Sequence, residues 1–331
     1  MTEAELKSAY EAQKPCLLAW GNTVKATVLS RLGKTPEQKK PLAEFLKIPV
    51  EPRVKSTDSF LTKALRRGKS YERPLDQITD KVGVRFVVLL LCELKFIEEI
   101  IEGCELWEAE KARDFEAERT ERPHHFDYQS VHYIVRPKKP TKCGDVSVPV
   151  EIGCEVQVRT LLQHAYAELA HDTTYKPSFA VDREVSRQIA KSAALVEATD
   201  EIFVQANAIV EAAGAELRRV HELTAATYQV KIGLPPIPDL RLSYSLLDPY
   251  RDQLPSITQQ SFDEFLNKND FIADRIKERA PLSLFYRHSC VLAVYFLIAN
   301  HPDLVPKNWP ADKKHLEMIY TDLGLSSENR L

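Results

Sequence analysis

The stretch that most restricts the fold is Val84–Leu91, Val-Arg-Phe-Val-Val-Leu-Leu-Leu. It is β-branched, aromatic or aliphatic almost throughout, and reads as a strand buried on both faces. Such a strand calls for a sheet covered by helices. Two further strands follow. Gln129–Arg136 alternates moderately, and Val148–Val158 alternates clearly through Val150, Ile152, Val156 and Val158. Lys142–Asp145, containing Gly144, forms the turn between them. From Thr160 to His171 the period becomes helical. These pieces define a mixed α/β core from Val50 to about Ser178.

Helices surround that core. Glu3–Leu32 places Leu17, Val24, Val28 and Leu32 on one face, with Pro15 expected to divide it and Gly33 to stop it. A short helix covers Leu42–Leu46. Ser56 is placed to cap a helix whose Phe60, Leu61, Ala64 and Leu65 face inward. Glu98, Glu99, Glu102, Glu105, Glu108 and Glu110 suggest one acidic helix with a solvated face. Asp182–His221 reads as one long helix or two. Ile189, Val196, Phe203, Val210 and Leu217 recur every seventh residue there, flanked by Leu195, Ile202 and Ile209. That stripe suits a brace across the core or a homo-oligomer interface. Leu234–Pro255, with five prolines, reads as a connector. Beyond it, Ser261 with Glu264 suggests a capping box, Leu282–Asn300 a buried helix, and Ala311–Leu323 a last one. The expected organisation is a helical lead-in (1–48), the core (49–180), a bracing helix or helices (181–233) and a C-terminal helical domain (234–331).

Composition removes several classes. A hydrophobic fraction of 44% and a charged fraction of 28% exclude a disordered chain. A net charge of −3 gives no overall signal for nucleic acid or membrane, so any grip on a polyanion must be local. Met1–Lys14 has no apolar segment of the secretory kind, and Val87–Leu91 and Val291–Ala299 fall short of the roughly 20 residues a membrane helix needs. The six cysteines are scattered with no CxxC pair. The expectation is a reduced, cytoplasmic protein with no membrane partner.

The chemistry gathers in the core. Arg53, Lys55, Lys63, Arg66, Arg67 and Lys69 are opposed only by Asp58. Asp80 stands at the mouth of the apolar strand, where an unpaired carboxylate is costly. Alternation puts Glu155, Gln157 and Arg159 on one face and Val156 and Val158 on the other. Two carboxylates from neighbouring strands make a hard oxygen site suited to Mg2+, and the nearby cations suit a polyphosphate. Together these are the usual parts of phosphoryl transfer.

Five segments in order, RVKSTDSFLTK (Arg53–Lys63), DKVGVR (Asp80–Arg85), YQSVH (Tyr128–His132), EVQVRT (Glu155–Thr160) and HDTTYK (His171–Lys176), resemble the synthetase domain of the RelA/SpoT family of alarmone synthetases. The resemblance covers about Leu42–Lys176. It implies an α+β fold, a nucleotidyltransferase-like mixed sheet flanked by helices, here with a C-terminal all-helical region. It implies an ATP-dependent pyrophosphokinase that moves the β,γ-diphosphate of ATP onto the 3′-hydroxyl of GDP or GTP and releases AMP. By the same resemblance Arg53 and Arg85 sandwich the adenine, and Lys55, Ser59, Lys63 and Arg159 hold the ATP phosphates. Asp80 binds Mg2+; Glu155 completes the metal site or orients and deprotonates the attacking hydroxyl. Tyr128 stacks on the acceptor base, and His132, His171 and Lys176 lie near its phosphates.

One departure bears on the acceptor. The family pattern has glycine before the stacking tyrosine, whereas this chain has Asp127, preceded by Arg122-Pro123-His124-His125-Phe126. Asp127 repels a nearby acceptor phosphate unless a cation intervenes; Arg119, Arg122, His124 and His125 are candidate substitutes. The resemblance therefore also admits toxic synthetases that act on the tRNA 3′-CCA end or make adenosine alarmones. In that toxin–antitoxin reading the C-terminal domain is the regulator, and Lys63, Arg66, Arg67 and Lys69, or Lys138, Lys139 and Lys142, contact the RNA. A third reading is an inactive nucleotide-sensing module. The family's hydrolase half has no counterpart beyond the bare His171-Asp172 dipeptide.

Overall fold

The computed structural model describes residues 2–35, 40–66, 71–122, 124, 126, 130–171, 173, 183–237 and 239–326. The chain divides into two compact units, Met1–Ala206 and Asn207–Leu331. The first is built on strands β1 (Arg53–Val54), β2 (Val82–Val88), β3 (Trp107–Arg113), β4 (Val131–Pro137), β5 (Thr141–Cys143), β6 (Val146–Val148) and β7 (Cys154–Thr160). Five of them form one mixed sheet in the order β1-β2-β7-β4-β3. β2 and β7 are parallel and the other neighbours antiparallel. β5 and β6 form a separate hairpin turned by Gly144 at φ 62°, as its turn position requires.

The helices of this unit are α1 (Glu3–Leu32), α2 (Leu42–Phe45), α3 (Thr57–Arg66), α4 (Pro74–Gln77), α5 (Leu91–Glu102), α6 (Phe115–Glu121), α7 (Leu161–Ala170) and the first part of α8 (Arg183–Ile232). Alternation gives the sheet two unlike faces. Val82, Val84, Phe86, Val156 and Val158 are buried with Leu17, Trp20, Val24 and Val28 of α1 and Leu94, Ile97 and Ile101 of α5. Trp20 donates its indole N–H to the Val135 carbonyl at 3.0 Å and meets Trp107 edge to face. Gly21 lets α1 come this close: a Cβ there would sit 2.8 Å from Pro52 and 3.0 Å from Val82.

Several sequence expectations are corrected here. Pro15 does not divide α1, which runs unbroken from Glu3 to Leu32. Leu6 and Tyr10 before it, and Leu17 and Trp20 after it, are buried in one cluster. At about 1.5–3 kcal/mol per large apolar side chain, that burial outweighs the ~3 kcal/mol cost of an internal proline. The acidic helix ends at Glu102 with Gly103 as its cap, and Glu108 and Glu110 lie on β3, whose Trp107 is buried. Glu98 does more than face solvent: it accepts from the Tyr133 hydroxyl at 3.0 Å and pairs with Lys111 at 2.9 Å. The expected strand Val148–Val158 is two strands, β6 and β7, with Pro149 and Gly153 in the break. Leu65 is 48% exposed rather than inward.

α8 is one helix of 50 residues. In the first unit its Ile189 and Val196 pack on Tyr166, Ala170 and Ala193. Leu195, Ile202, Ile209 and Val210 are largely exposed, so at these positions the heptad stripe carries little packing among the described residues.

The second unit joins the rest of α8 to α9 (Leu240–Leu247), α10 (Gln259–Lys268), α11 (Phe271–Arg279), α12 (Val291–Asn300) and α13 (Lys313–Asp322). α12 is buried from Val291 to Ile298 and forms its core; its helix begins nine residues later than the expected Leu282. The proline-rich segment is not all connector. Asp239 caps α9, which lies clear of the prolines, and a 3-10 stretch covers Asp248–Ser256. Thr258, not Ser261, is the cap of α10; Ser261 is its third residue. Asp322, almost wholly buried, accepts a bidentate pair from Arg279 at 2.5 and 2.7 Å and the Tyr295 hydroxyl. His221 bonds Ser243 at 2.7 Å, and His288 donates to the Asp239 carbonyl at 2.7 Å.

Burial holds both of these imidazoles below the ordinary value of 6.5, and at His221 the nearby His288 disfavours the charge further. Their unfolded forms take up protons below pH 6.5 while the folded forms resist, so stability falls as pH drops below 6.5. The urea midpoint of the second unit should therefore be lower at pH 5.5 than at 7.5. His288→Gln, which keeps a donor for the Asp239 carbonyl, should shrink that difference.

Candidate active site

The site grows out of the polar face of the sheet. β7 alternates as expected: Cys154, Val156 and Val158 are buried on one side, while Glu155, Gln157 and Arg159 share the other. Register extends that face to the neighbours. Gly83 pairs with Glu155, Arg85 with Gln157, and His132 with Gln157, while Arg53 pairs with Gly83. Paired residues point to the same side of a sheet. Arg53, Arg85, His132, Glu155, Gln157 and Arg159 thus all belong to one face.

Asp80 lies in the turn just before β2, and Glu155 is the second residue of β7. Because these strands are parallel, both carboxylates stand at the same end of the sheet. Asp80 Oδ2 accepts from Lys55 Nζ at 2.5 Å and from Lys63 Nζ at 2.9 Å. Burial alone would raise the Asp80 carboxyl. The hydrogen bonds and charges of Lys55 and Lys63 outweigh it and hold the group below its ordinary 3.8. Two ammonium groups on one carboxylate leave the cluster with a net positive charge, the condition for a polyphosphate to be attracted. Asp80 Oδ1 is buried with no hydrogen-bond partner among the described residues. A buried lone pair of this kind fits a hard cation, and Mg2+ binds through one or two carboxylates completed by substrate phosphates. Among the described residues no group of three or more His, Cys, Asp or Glu side chains gathers as a metal cage.

Glu155 Oε1 lies 2.9 Å from His132 Nδ1, both side chains mostly buried. Gln157 Oε1 accepts from Arg85 Nε at 3.3 Å and Arg159 at 3.1 Å. Arg159 is 1% exposed. Arg85 also donates to Glu168 of α7 at 3.0 Å. Ser56 caps α3 as expected, accepting the Ser59 N–H, and its hydroxyl donates to Ser59 Oγ at 2.8 Å. The structure therefore brings Arg53, Lys55, Ser59, Lys63, Asp80, Arg85, His132, Glu155 and Arg159 to one sheet face and the loops at its edge. His171 lies exposed at the C-terminal end of α7. Tyr128, Lys176 and Asp127 lie outside the described residues, as do His125, Arg67, Lys69 and the Arg66 side chain.

The candidate polyanion contacts are placed as follows. Arg119 is engaged by Glu197 and Glu201 of α8 at 3.2 and 3.0 Å. Lys138, Lys139 and Lys142 are exposed around the β5–β6 hairpin, and Arg122 and His124 are exposed after α6. Sequence reasoning missed Glu168, whose only signal is its helical i,i+4 spacing from His164, and it gave Gln157 a face but no partner. It also missed the α1 side chains that reach the Lys55 turn.

Residues 52–179 match the model of the region found in RelA/SpoT proteins. The chain is similar to the GTP pyrophosphokinase YjbM of Bacillus subtilis (strain 168), 26% identical over 167 residues that span 50% of this chain and 75% of that protein. Among solved structures it is similar to the small alarmone synthetase 1 from Bacillus subtilis, at 21% identity and a TM-score of 0.47, over 61% of this chain and 98% of that one. A GTP pyrophosphokinase family protein from Streptococcus pneumoniae gives 22% identity and a TM-score of 0.47, over 62% and 95%.

One buried carboxyl holds the far end of β7. Thr160 closes the strand and caps α7; its hydroxyl accepts the Gln163 N–H at 3.1 Å and donates to Asp200 Oδ2 of α8 at 2.8 Å. Burial pushes Asp200 up to about 6 from 3.8, only partly opposed by Thr160. Its folded pKa is raised, so its contribution to stability is full below 3.8 and is lost as pH rises through about 6. Asp200→Asn, neutral throughout, should be more stable than the parent at pH 7.5 by about 3 kcal/mol, with the gain vanishing toward pH 4 in urea melts.

Proposed function

We propose that this chain, whose residues 52–179 form a region of the RelA/SpoT type, is a pyrophosphokinase that transfers the β,γ-diphosphate of ATP to the 3′-hydroxyl of GDP or GTP. The observation that carries the reading is Asp80 held between Lys55 and Lys63 at the strand end it shares with Glu155. Pyrophosphokinase activity is what the similar Bacillus subtilis protein is named for. In balance, the acceptor 3′-oxygen bonds to the β-phosphorus, the bond from that phosphorus to the α–β bridging oxygen breaks, and AMP leaves with the electron pair.

The residues divide this work by chemistry. Arg53 and Arg85 flank the adenine with planar guanidinium groups, a stacking task that lysine does poorly. Gln157 and Glu168 hold Arg85 in orientation for it. Lys55 and Lys63 release Asp80 to take the phosphates, with Ser59 and Arg159 as further donors. Asp80 and Glu155 would hold Mg2+, which would supply positive charge against the charge of the triphosphate. Glu155 also accepts the proton of the attacking hydroxyl, and its hydrogen bond to His132 fixes which way the carboxylate points. Tyr128, His132, His171 and Lys176 are assigned to the acceptor side.

The test is transfer of label from γ-labelled ATP with magnesium, in parallel with GDP, GTP, ATP alone and deacylated tRNA. Label on GDP or GTP with AMP release is expected. Label confined to tRNA reassigns the acceptor, and nucleotide binding with no AMP release under any condition overturns the reading. Asp80→Asn and Glu155→Gln should each lower transfer by about 10²-fold or more while leaving the circular dichroism spectrum unchanged. Arg85→Lys should raise KM for ATP more than it lowers kcat.

A further inference from the structure

The turn that carries Lys55 is anchored by a helix outside the matched region. Tyr10 of α1 is fully buried. Its hydroxyl donates to the Lys55 carbonyl at 2.8 Å, and its ring lies flat on Phe60 of α3 with centroids 4.0 Å apart and planes 7° from parallel. The Lys55 N–H donates to the Lys81 carbonyl at 2.9 Å, so the Lys55 backbone is pinned from both sides. One turn further along α1, Lys14 donates to Thr57 Oγ1 at 2.7 Å, and Gln13 Oε1 accepts from Lys81 Nζ at 3.2 Å. Three residues of one helix thus touch both segments that meet at Asp80.

We propose that Tyr10 is a positioning residue of the ATP site, fixing through its hydroxyl and ring the backbone from which Lys55 and Lys63 reach the phosphates. The inference rests on the pyrophosphokinase reading above. With no nucleotide present, attraction to Asp80 keeps both ammonium groups in place. A triphosphate that draws them off Asp80 removes that restraint. What then holds the lysines at the right distance is their main chain, and for Lys55 the Tyr10 hydroxyl is a direct anchor. A lysine side chain carries large rotamer entropy, so a fixed base is what limits the cost of ordering it on a ligand.

Tyr10→Phe keeps the ring on Phe60 and deletes only the hydroxyl. In the full-length chain with magnesium, calorimetric titration with a non-hydrolysable ATP analogue should give a Kd raised about fivefold, the loss of one buried hydrogen bond. kcat at saturating ATP should be unchanged, so the effect falls on KM. Trp20→Phe is the control: it removes the bond to the Val135 carbonyl on the same helix, far along from the Lys55 turn. It should lower the melting temperature and bind the analogue as the parent does. Tyr10→Phe binding as tightly as the parent, or Trp20→Phe weakening binding equally, overturns the inference while the functional reading stands. A parent chain that binds no analogue overturns both.

Discussion

Everything at this site depends on strand register. β7 carries Glu155, Gln157 and Arg159 on one side and Cys154, Val156 and Val158 on the other, and its neighbours repeat the pattern. A slip of one residue would bury two charges and an amide under α1 and α5 and turn the valines toward the polar face. Each unpaired charge so buried would cost several kcal/mol, far more than a register error could recover elsewhere. The hydrophobic effect that folds the first unit therefore also aligns its polar side chains. Arg53, Arg85 and His132 fall beside Glu155 and Gln157 because the opposite faces of their strands have only one way to pack.

The charges are not there for stability. The Lys55–Asp80–Lys63 cluster is part-buried, and such groups return little net stabilisation once desolvation is counted. A core of valines at that strand mouth would serve the fold as well. Strong local pairing with excess positive charge makes sense instead as a site held ready for an anion. Asp80 stays ionised because two lysines compete for it, and those lysines stay in place because Asp80 holds them. On the proposed function, these ion pairs are the bonds that a bound polyphosphate would exchange.

Much of this was legible in the sequence, for reasons that can be named. The long apolar run of β2 and the alternation of β7 are local signals: β2 falls within a few residues of where periodicity puts it, whereas β7 keeps only the second half of the expected Val148–Val158 strand. Asp80 and Glu155 could be placed because each stands beside such a strand. β3 could not, since Glu108 and Glu110 continue an acidic series and only pairing with β4 makes that stretch extended. Pro15 misled for a similar reason: the local rule is right, but core burial along the whole of α1 overrides it. Partners such as Glu168, Asp200 and Tyr10 were invisible because their contacts lie tens of residues away in the chain, and no spacing encodes them.

The span that family resemblance covers is shorter than the span that folds together. α1 ends at Leu32, well before residue 52, yet Trp20, Val24 and Val28 cover the apolar side of the sheet. A fragment cut at the edges of the matched region would keep α5 but strip the α1 side chains from Val84, Phe86, Val156 and Val158, leaving part of that apolar face to water. Homology here marks where the chemistry is written, not where the molecule can be divided. Swapping this region between relatives should mean carrying the leading helix with it, since transplantability is a property of the cooperative unit and not of the motif.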